Sequence, residues 1–367
     1  MNSSRILTVA VSVSASTVLL AQTTAPRLPA GEVKALSVQA PLDPGYSLLT
    51  ATCKTAPPAR GGRGPGGNRG GARGPAPAAG EREYTVPNIA GVVKGGEKWK
   101  FVWQQAGNNG DGIVGLPDGS LLLAQNDSSD VLKLTPDGKT TVAYANTRTG
   151  GAVSINPKGV TFVDERGLHQ RIEQLTPTRK VLADTYNGDP IDCIGGVIND
   201  ITADSKGGVY FTMGGLFYAD PAGKVTRYGE NLTTNGIILS ADEKTLYVTN
   251  GPAIAAFDVQ KDGSLTNQRE FAKLSSGGGD GSTIDAKGRL YVTTNGGVEV
   301  IDKDGKSLGV IGTPRGAISV AFGGKGKKTT LFVLLRGGTD AQGADQANVA
   351  QVWALPMIAE GYKGRAK

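Results

Sequence analysis

Short apolar runs alternate with turn signals along most of the chain. In residues 282–294, an apolar pair enters the turn Asp285-Ala286-Lys287-Gly288, and the run Leu290-Tyr291-Val292 follows it. Turn residues between β-branched and aromatic runs predict β-hairpins. Almost nothing in the body of the chain has the 3.6-residue periodicity of a helix longer than one turn. The pattern therefore predicts an all-β protein.

This hairpin unit recurs six times. Its copies contain, in order, Val114, Val153, Ile201, Ile237, Ser282 and Val320, and equivalent turn positions are 37 to 48 residues apart. A second hairpin follows most copies, which gives four strands per unit. Self-similarity at a period of about 40 residues with four short strands is typical of a β-propeller, whereas a sandwich or barrel does not explain it. We predict a six-bladed β-propeller over residues 83–360, with 83–105 closing the ring.

The first 82 residues predict export followed by an extension. Arg5 precedes an apolar, small-residue run at 6–20 and then Ala21, which is the layout of a secretory signal peptide over residues 1–21. A membrane anchor or a disordered start is the alternative. Residues 22–82 would be an N-terminal extension, and its Gly/Pro/Arg-rich part from residue 57 onward predicts a disordered linker. We expect a periplasmic or secreted protein with no membrane span after signal removal.

The formal net charge of +6 comes from the two ends. The segment 57–83 has five arginines against two glutamates, and Lys363, Arg365 and Lys367 supply the rest. We expect both basic segments, including a tail at 361–367, to be flexible and the body to be near neutral. An exported protein rarely meets nucleic acid, so we expect no such partner, although weak attraction to anionic surface polymers remains an alternative. We expect a monomer.

The chain has two cysteines and one histidine. In an oxidising compartment, Cys53 and Cys193 could form a disulfide that ties the N-terminal segment to the body, and the sequence leaves that pairing open. Neither cysteine lies in a CxxC pair. We expect His169 in an outer, solvent-exposed strand, which makes a His-rich zinc site or a Ser-His-Asp triad hard to build. Any metal would be held mainly by oxygen ligands.

Four copies carry an acid or an amide five or six residues before the turn. These residues are Asp111, Asn199, Asn235 and Asp280. Equivalent positions in a propeller are related by rotation about its axis, so we expect their side chains to point into one central space. Two carboxylates and two amides suit a divalent cation, Ca²⁺ before Mg²⁺, Mn²⁺ or Zn²⁺. Without a cation, the carboxylates would repel each other.

The alternative interpretation is that Asn-Gly and Asp-Gly merely form turns. However, the copies at Gly150-Gly151 and at Gly316 lack the donor, which a general turn requirement does not predict. Asp200, beside Asn199, would be an anchor behind the site.

The sequence around these donors resembles the senescence-marker-protein/gluconolactonase/luciferin-regenerating-enzyme family. The segments TTNGIILSADEKTLYVTNG and GGDGSTIDAKGRLYVTT carry the resemblance most specifically, and it extends over residues 108–335. It implies a six-bladed propeller with a central divalent cation, and hydrolysis of lactones or organophosphate esters. Matched by position, it implies that Asn235 and Asp280 are metal ligands and that Asn199 faces the substrate.

Two positions depart from this family. Asp111 stands where the family has a glutamate, so it would bind through water or shift the metal. Val197 stands where sugar lactonases that resemble regucalcin have an arginine, which puts a sugar-acid lactone in doubt and favours a different or less polar substrate.

We therefore predict an exported, metal-dependent hydrolase of a small-molecule lactone or related ester. Asp111, Asn235 and Asp280 would hold the metal, Asp280 would also take a proton from the attacking water, and Asn199 would orient the substrate. The alternative is a non-catalytic binding module in which the cation only braces the channel, since fold alone does not decide function.

Overall fold

Six four-stranded antiparallel sheets form the body of the protein, as blades around a central axis. The computed structural model describes residues 25–27, 37–57, 80–107 and 109–367. The fold prediction is confirmed, and each of the six repeat copies supplies the innermost strand of one blade. The predicted signal peptide and most of the predicted linker lie outside the described residues.

The strands follow one another within each blade. Strand β1 (Lys100–Ala106) precedes blade 1, which contains β2 (Gly110–Gly115), β3 (Leu121–Gln125), β4 (Asp130–Leu134) and β5 (Thr140–Ala145). Blade 2 contains β6 (Val153–Ile155), β7 (Thr161–Glu165), β8 (Arg171–Gln174) and β9 (Lys180–Ala183). A small hairpin of β10 (Thr185–Tyr186) and β11 (Asp189–Pro190) and a 3-10 turn at Ile191–Ile194 lead to blade 3.

Blade 3 contains β12 (Asp200–Ala203), β13 (Val209–Thr212), β14 (Leu216–Ala219) and β15 (Val225–Tyr228). Blade 4 contains β16 (Thr234–Leu239), β17 (Thr245–Asn250), β18 (Ala253–Val259) and β19 (Leu265–Lys273). Blade 5 contains β20 (Ser282–Ile284), β21 (Leu290–Thr294), β22 (Gly297–Ile301) and β23 (Ser307–Gly312). Blade 6 contains β24 (Ala317–Gly323), β25 (Thr330–Thr339) and β26 (Asp345–Pro356), with β1 as its outer strand.

The pairing of β1 with β26 closes the ring. The last blade therefore takes its fourth strand from before the first blade, as predicted for residues 83–105. Trp99, just before β1, is fully buried, and its Nε1 donates to the carbonyl of Gly312 at 2.7 Å. This contact joins the closing strand to blade 5.

Apolar side chains fill the space between neighbouring blades. Every residue of β3, β13 and β14 is buried. A blade covered on both faces needs apolar residues on both faces, which explains the continuous apolar runs in these strands. The core is thus a set of clusters between blades, and the polar loops converge at the axis.

The N-terminal extension packs onto the propeller. It contains a 3-10 turn at Ala40–Leu42 and a short helix, α1, at Tyr46–Thr50. Cys53 and Cys193 form a disulfide, which settles the pairing that the sequence left open. No helix among the described residues is long and apolar enough to cross a bilayer.

The expectation of a flexible basic tail is wrong for its last residues. Arg365 and Lys367 are only 6% and 8% exposed. Ala366 exchanges two backbone hydrogen bonds with Ile155, at 2.9 and 3.1 Å. The segment is ordered because it finds backbone partners and acidic groups inside the ring, which its composition does not reveal.

Candidate active site

The predicted donors lie at the axial ends of the innermost strands. Asp111 and Asn235 lie within β2 and β16, whereas Asn199 and Asp280 lie just before β12 and β20. The structure places Asp111, Asn199, Asp200 and Asp280 around one cavity at the axis. Asn235 does not line it, but the next residue, Gly236, packs against the backbone of Asp280. Four blades therefore contribute polar groups to one region.

The glycines that follow three of the donors allow the blades to approach each other closely. A Cβ on Gly236 would lie 2.0 Å from the carbonyl oxygen of Asp280, and a Cβ on Gly281 would lie 2.6 Å from Oγ of Ser319. A Cβ on Gly112 would lie 2.9 Å from the backbone of blade 2. None of these glycines has a positive φ. They are therefore required by packing between blades, and the interpretation as simple turn formers does not apply to them.

Arg166, which the sequence analysis missed, occupies the axis beside Asp111. It directly follows β7, and its side chain is only 3% exposed. Its Nε donates to Asp164 at 2.8 Å, its Nη1 donates to Asp111, and its Nη2 donates to the backbone carbonyl of Asn199. A guanidinium with three charged or polar acceptors is thus fixed at the axis.

Gly151 makes room for this arginine. A Cβ at position 151 would lie 1.7 Å from Cζ of Arg166. The Gly150-Gly151 pair, which lacks a donor, therefore admits a cationic side chain from the same blade. The signal in the sequence was the charged triplet Asp164-Glu165-Arg166 after an apolar strand, where the other copies continue with uncharged residues.

Electrostatics keep Arg166 charged. Burial alone would lower the pKa of Arg166, but Asp164 and Asp111 outweigh it and raise that pKa. Burial raises the pKa of Asp164, against the opposing effect of Arg166 and of the amides of Ala152 and Gly151. Asp111, predicted as a metal ligand, thus lies in an ion pair with Arg166.

Asp200 is the second anchored carboxylate of the cavity. It is buried and ion-pairs with Nζ of Lys367, while its Oδ2 accepts from the amide of Ile237 at 3.0 Å. Burial raises the pKa of Asp200, and Lys367 opposes that rise. Asp200 therefore joins blade 3 to the innermost strand of blade 4, as well as lying beside Asn199.

The remaining predicted residues are readily placed. Oδ1 of Asn235 is buried and has no hydrogen-bond partner among the described residues. His169 is exposed, as predicted, but it lies in a bend between β7 and β8 and has a φ of 64°. No three histidine, cysteine, aspartate or glutamate side chains in the described part of the chain lie close enough to hold a metal by themselves. A cation site here would require amide oxygens.

Comparisons with known proteins agree with this architecture. The family described as "SMP-30/Gluconolactonase/LRE-like region" matches residues 192–335. A lactonase, drp35, from Staphylococcus aureus (strain MRSA252) is 30% identical over 242 residues, which cover 58% of this chain and 73% of the relative. A gluconolactonase from Zymomonas mobilis is 27% identical over 272 residues, or 61% of this chain and 75% of the relative.

Two solved structures show the same fold. A gluconolactonase from Xanthomonas campestris superposes with a TM-score of 0.61 at 23% identity, over 77% of this chain and 96% of that one. The calcium-binding protein regucalcin from Agrobacterium tumefaciens gives 0.54 at 18% identity, over 69% and 93%. The chain belongs to the SMP-30/gluconolactonase/LRE-like family of six-bladed propellers. That membership supports a lactone hydrolase function.

Proposed function

We propose that this protein opens a lactone or a related carboxylic ester with the help of a divalent cation held at the axial cavity. The observation that carries the proposal is the charge balance around that cavity. Asp111, Asp164, Asp200 and Asp280 face two cationic side chains, Arg166 and Lys367, so the described residues leave a formal charge of −2. One divalent cation would balance that charge.

The donor set fits an oxygen-liganded cation. Asn235 and Asp280 would hold it, and the unpartnered Oδ1 of Asn235 supports this assignment because a buried carbonyl oxygen without a partner is costly. Ca²⁺ suits carboxylate and amide oxygens best, and Mg²⁺, Mn²⁺ or Zn²⁺ would be alternatives. Because Arg166 already binds Asp111, that carboxylate would act through a water molecule.

Each residue of the cavity has a role in ester opening. A bound divalent cation polarises a carbonyl group and lowers the pKa of water. Asp280 would accept the proton of the attacking water, which is typically worth roughly 10²–10⁴-fold in rate. The amide of Asn199 would orient the substrate, and Arg166 would keep Asp111 ionised. Val197 is buried, and Ala152 and Ile318 line the cavity, so a weakly polar lactone fits better than a charged one.

We also propose that the protein works outside the cytoplasm. The disulfide between Cys53 and Cys193 supports this, because such bonds persist in oxidising compartments. The leader-like sequence at residues 1–21 is the second support.

The experiment uses the full chain after treatment with a chelator. Proton release would be followed on a panel of γ- and δ-lactones and an aryl ester, with Ca²⁺, Mg²⁺, Mn²⁺ or Zn²⁺ added back. We expect cation-restored turnover of at least one lactone, unchanged in the exposed control Asp304→Asn. Absence of turnover with every cation would contradict the proposal.

The second candidate is a non-catalytic binding module. The closeness of the N-terminal extension to the axis favours it, since the amide of Ala40 donates to the carbonyl of Arg166 at 2.7 Å. For a binding module, we expect thermal stability to fall on chelation while no lactone or ester is turned over.

A further inference from the structure

The segment 357–367 crosses the end of the channel opposite the donors. Its amide at Met357 donates to the carbonyl of Thr329 at 2.9 Å, and the amide of Tyr362 donates to that of Ile284 at 3.2 Å. The hydroxyl of Tyr362 donates to the carbonyl of Ala241 at 2.9 Å. Together with the backbone pair between Ala366 and Ile155, these bonds hold the segment from blades 2, 4, 5 and 6. Its position relative to the axis is therefore fixed.

This path brings Lys367 into the axial cavity. The backbone oxygen of Lys367 accepts from Oγ of Ser154 at 2.9 Å, which fixes the residue at the innermost strand of blade 2. Its Nζ ion-pairs with Asp200, and the two side chains are only 4% and 6% exposed. Two charges so far from solvent depend on each other, since removal of one leaves the other buried and unpaired.

Asp200 transmits this contact to the strand that carries Asn235. Strand β16 changes its pairing register between Thr234 and Ile237, so Asn235 and Gly236 lie in a bulge. The carboxylate of Asp200 binds the amide of Ile237, which is the first residue after the bulge. On the other side of the bulge, the hydroxyl of Thr212 donates to the backbone oxygen of Asn235. The bulge is thus held at two points, and one of them is Asp200.

We propose that Lys367 is a positioning residue of the axial site that acts through Asp200. By pairing with Asp200, it keeps the carboxylate aimed at the amide of Ile237 and so fixes the orientation of Asn235. The inference rests on the proposed function only in that the axial site is where the cation and substrate would bind. It assigns a role in the site to a residue that lies 132 positions after Asn235 in the sequence.

The test compares Lys367→Met with Lys363→Met. Methionine keeps the length of the side chain and removes its charge, and Lys363 lies in the same segment but is 54% exposed. Backbone hydrogen exchange of residues 234–239 and calorimetric Mn²⁺ binding would be measured, together with kcat and KM. For Lys367→Met, we expect about 10-fold faster exchange at Ile237, and a Kd for Mn²⁺ that rises by roughly 10–100-fold, as for other residues behind a metal ligand. We expect kcat to fall more than KM changes, and Lys363→Met to match the unchanged protein.

A double variant keeps the test decisive if Lys367→Met does not fold. In an Asp200→Asn background, no buried carboxylate is left unpaired, so Lys367→Met should change exchange at Ile237 and the Kd by less than about 3-fold. An equally large loss in that background would overturn the role of Asp200. Exchange and Kd within 2-fold of the unchanged protein in the single variant would overturn the inference outright. If the unchanged protein binds no Mn²⁺ and opens no lactone, the proposed function fails, and hydrogen exchange alone still decides the inference.

Discussion

Blades 2 and 5 meet the axis with opposite chemistry. Blade 5 places the carboxylate of Asp280 at the cavity, directly before β20. At the equivalent place blade 2 has Gly150 and Gly151, and the guanidinium of Arg166 fills the space that these residues leave open. A repeat position without a donor is therefore not an empty place. It can admit a side chain of the opposite charge from a neighbouring strand.

Blade 6 shows that this substitution is specific to blade 2. It also lacks a donor, but a Cβ on Gly316 would meet nothing within 4 Å. Blades 2 and 6 look alike in sequence at this position and differ in what lies beside them. The difference teaches that the sign of charge at the axis depends on the adjacent strand as well as on the repeat.

The largest expected effect removes the acid of blade 5. In Asp280→Asn, we expect kcat for the best lactone to fall by roughly 10²–10⁴-fold, because a general base is lost. Cation binding should weaken less, since the amide oxygen still coordinates. Steady-state kinetics and calorimetry measure the two effects separately. Full activity in Asp280→Asn would refute the role given to blade 5.

A smaller effect follows from closing the space in blade 2. In Gly151→Ala, the new methyl group would collide with Arg166, and overpacking of this kind typically costs roughly 1–3 kcal/mol of unfolding free energy. The matched variant Gly316→Ala should stay within about 0.5 kcal/mol, because nothing lies near it. Urea denaturation of both variants measures the difference. Equal stability of the two would break the contrast between blades 2 and 6.

The disulfide braces the blade 2 side of the axis and has no counterpart at blade 5. Cys193 lies in the 3-10 turn that follows blade 2, and its partner Cys53 closes a loop of 140 residues. In a Cys53→Ser, Cys193→Ser double variant, we expect a loss of stability of about 2–4 kcal/mol under oxidising conditions. Hydrogen exchange should rise more at residues 166–170 than at 276–282. A uniform rise at both places would contradict local bracing.

The smallest expected effect concerns pH and Glu165 at the end of β7. Burial, and then the neighbouring Glu173, raise the pKa of Glu165 to about 7, although Arg171 opposes that rise. A raised carboxyl pKa gives stability that is complete below the unfolded pKa and is lost as pH rises through about 7. From pH 4.5 to 8, we therefore expect the wild-type protein to lose roughly 1 kcal/mol relative to Glu165→Gln, less than the full shift implies because arginines surround the carboxylate.

Urea denaturation at both pH values checks this prediction. Thr294 ends the equivalent strand of blade 5 and has no charge to lose, so Thr294→Ser serves as the comparison. A constant difference between wild type and Glu165→Gln at all pH values would refute the prediction.

The repeat made the fold predictable from sequence. Turn residues at intervals of 37 to 48 positions predicted all six innermost strands, and the segment before β2 was correctly expected to close the ring. Four of the predicted site residues line one cavity because rotation about the axis makes equivalent positions neighbours. Periodicity carries this information locally, copy by copy.

Arg166 and Lys367 were not predicted, because their partners are distant in sequence. Arg166 binds Asp111 across 55 positions, and Lys367 binds Asp200 across 167. A lysine in a basic, glycine-containing tail looks solvated until the backbone pairing with Ile155 places it inside the ring. Burial of charge depends on such long-range contacts, and composition records only the charge.

The most direct test of the account is the anomalous scattering of Mn²⁺ in crystals of the full chain. The account predicts one axial peak within about 2.5 Å of oxygens of Asp280 and Asn235, with Arg166 still bound to Asp111. The absence of an axial peak, or a peak that displaces Arg166 from Asp111, would contradict it.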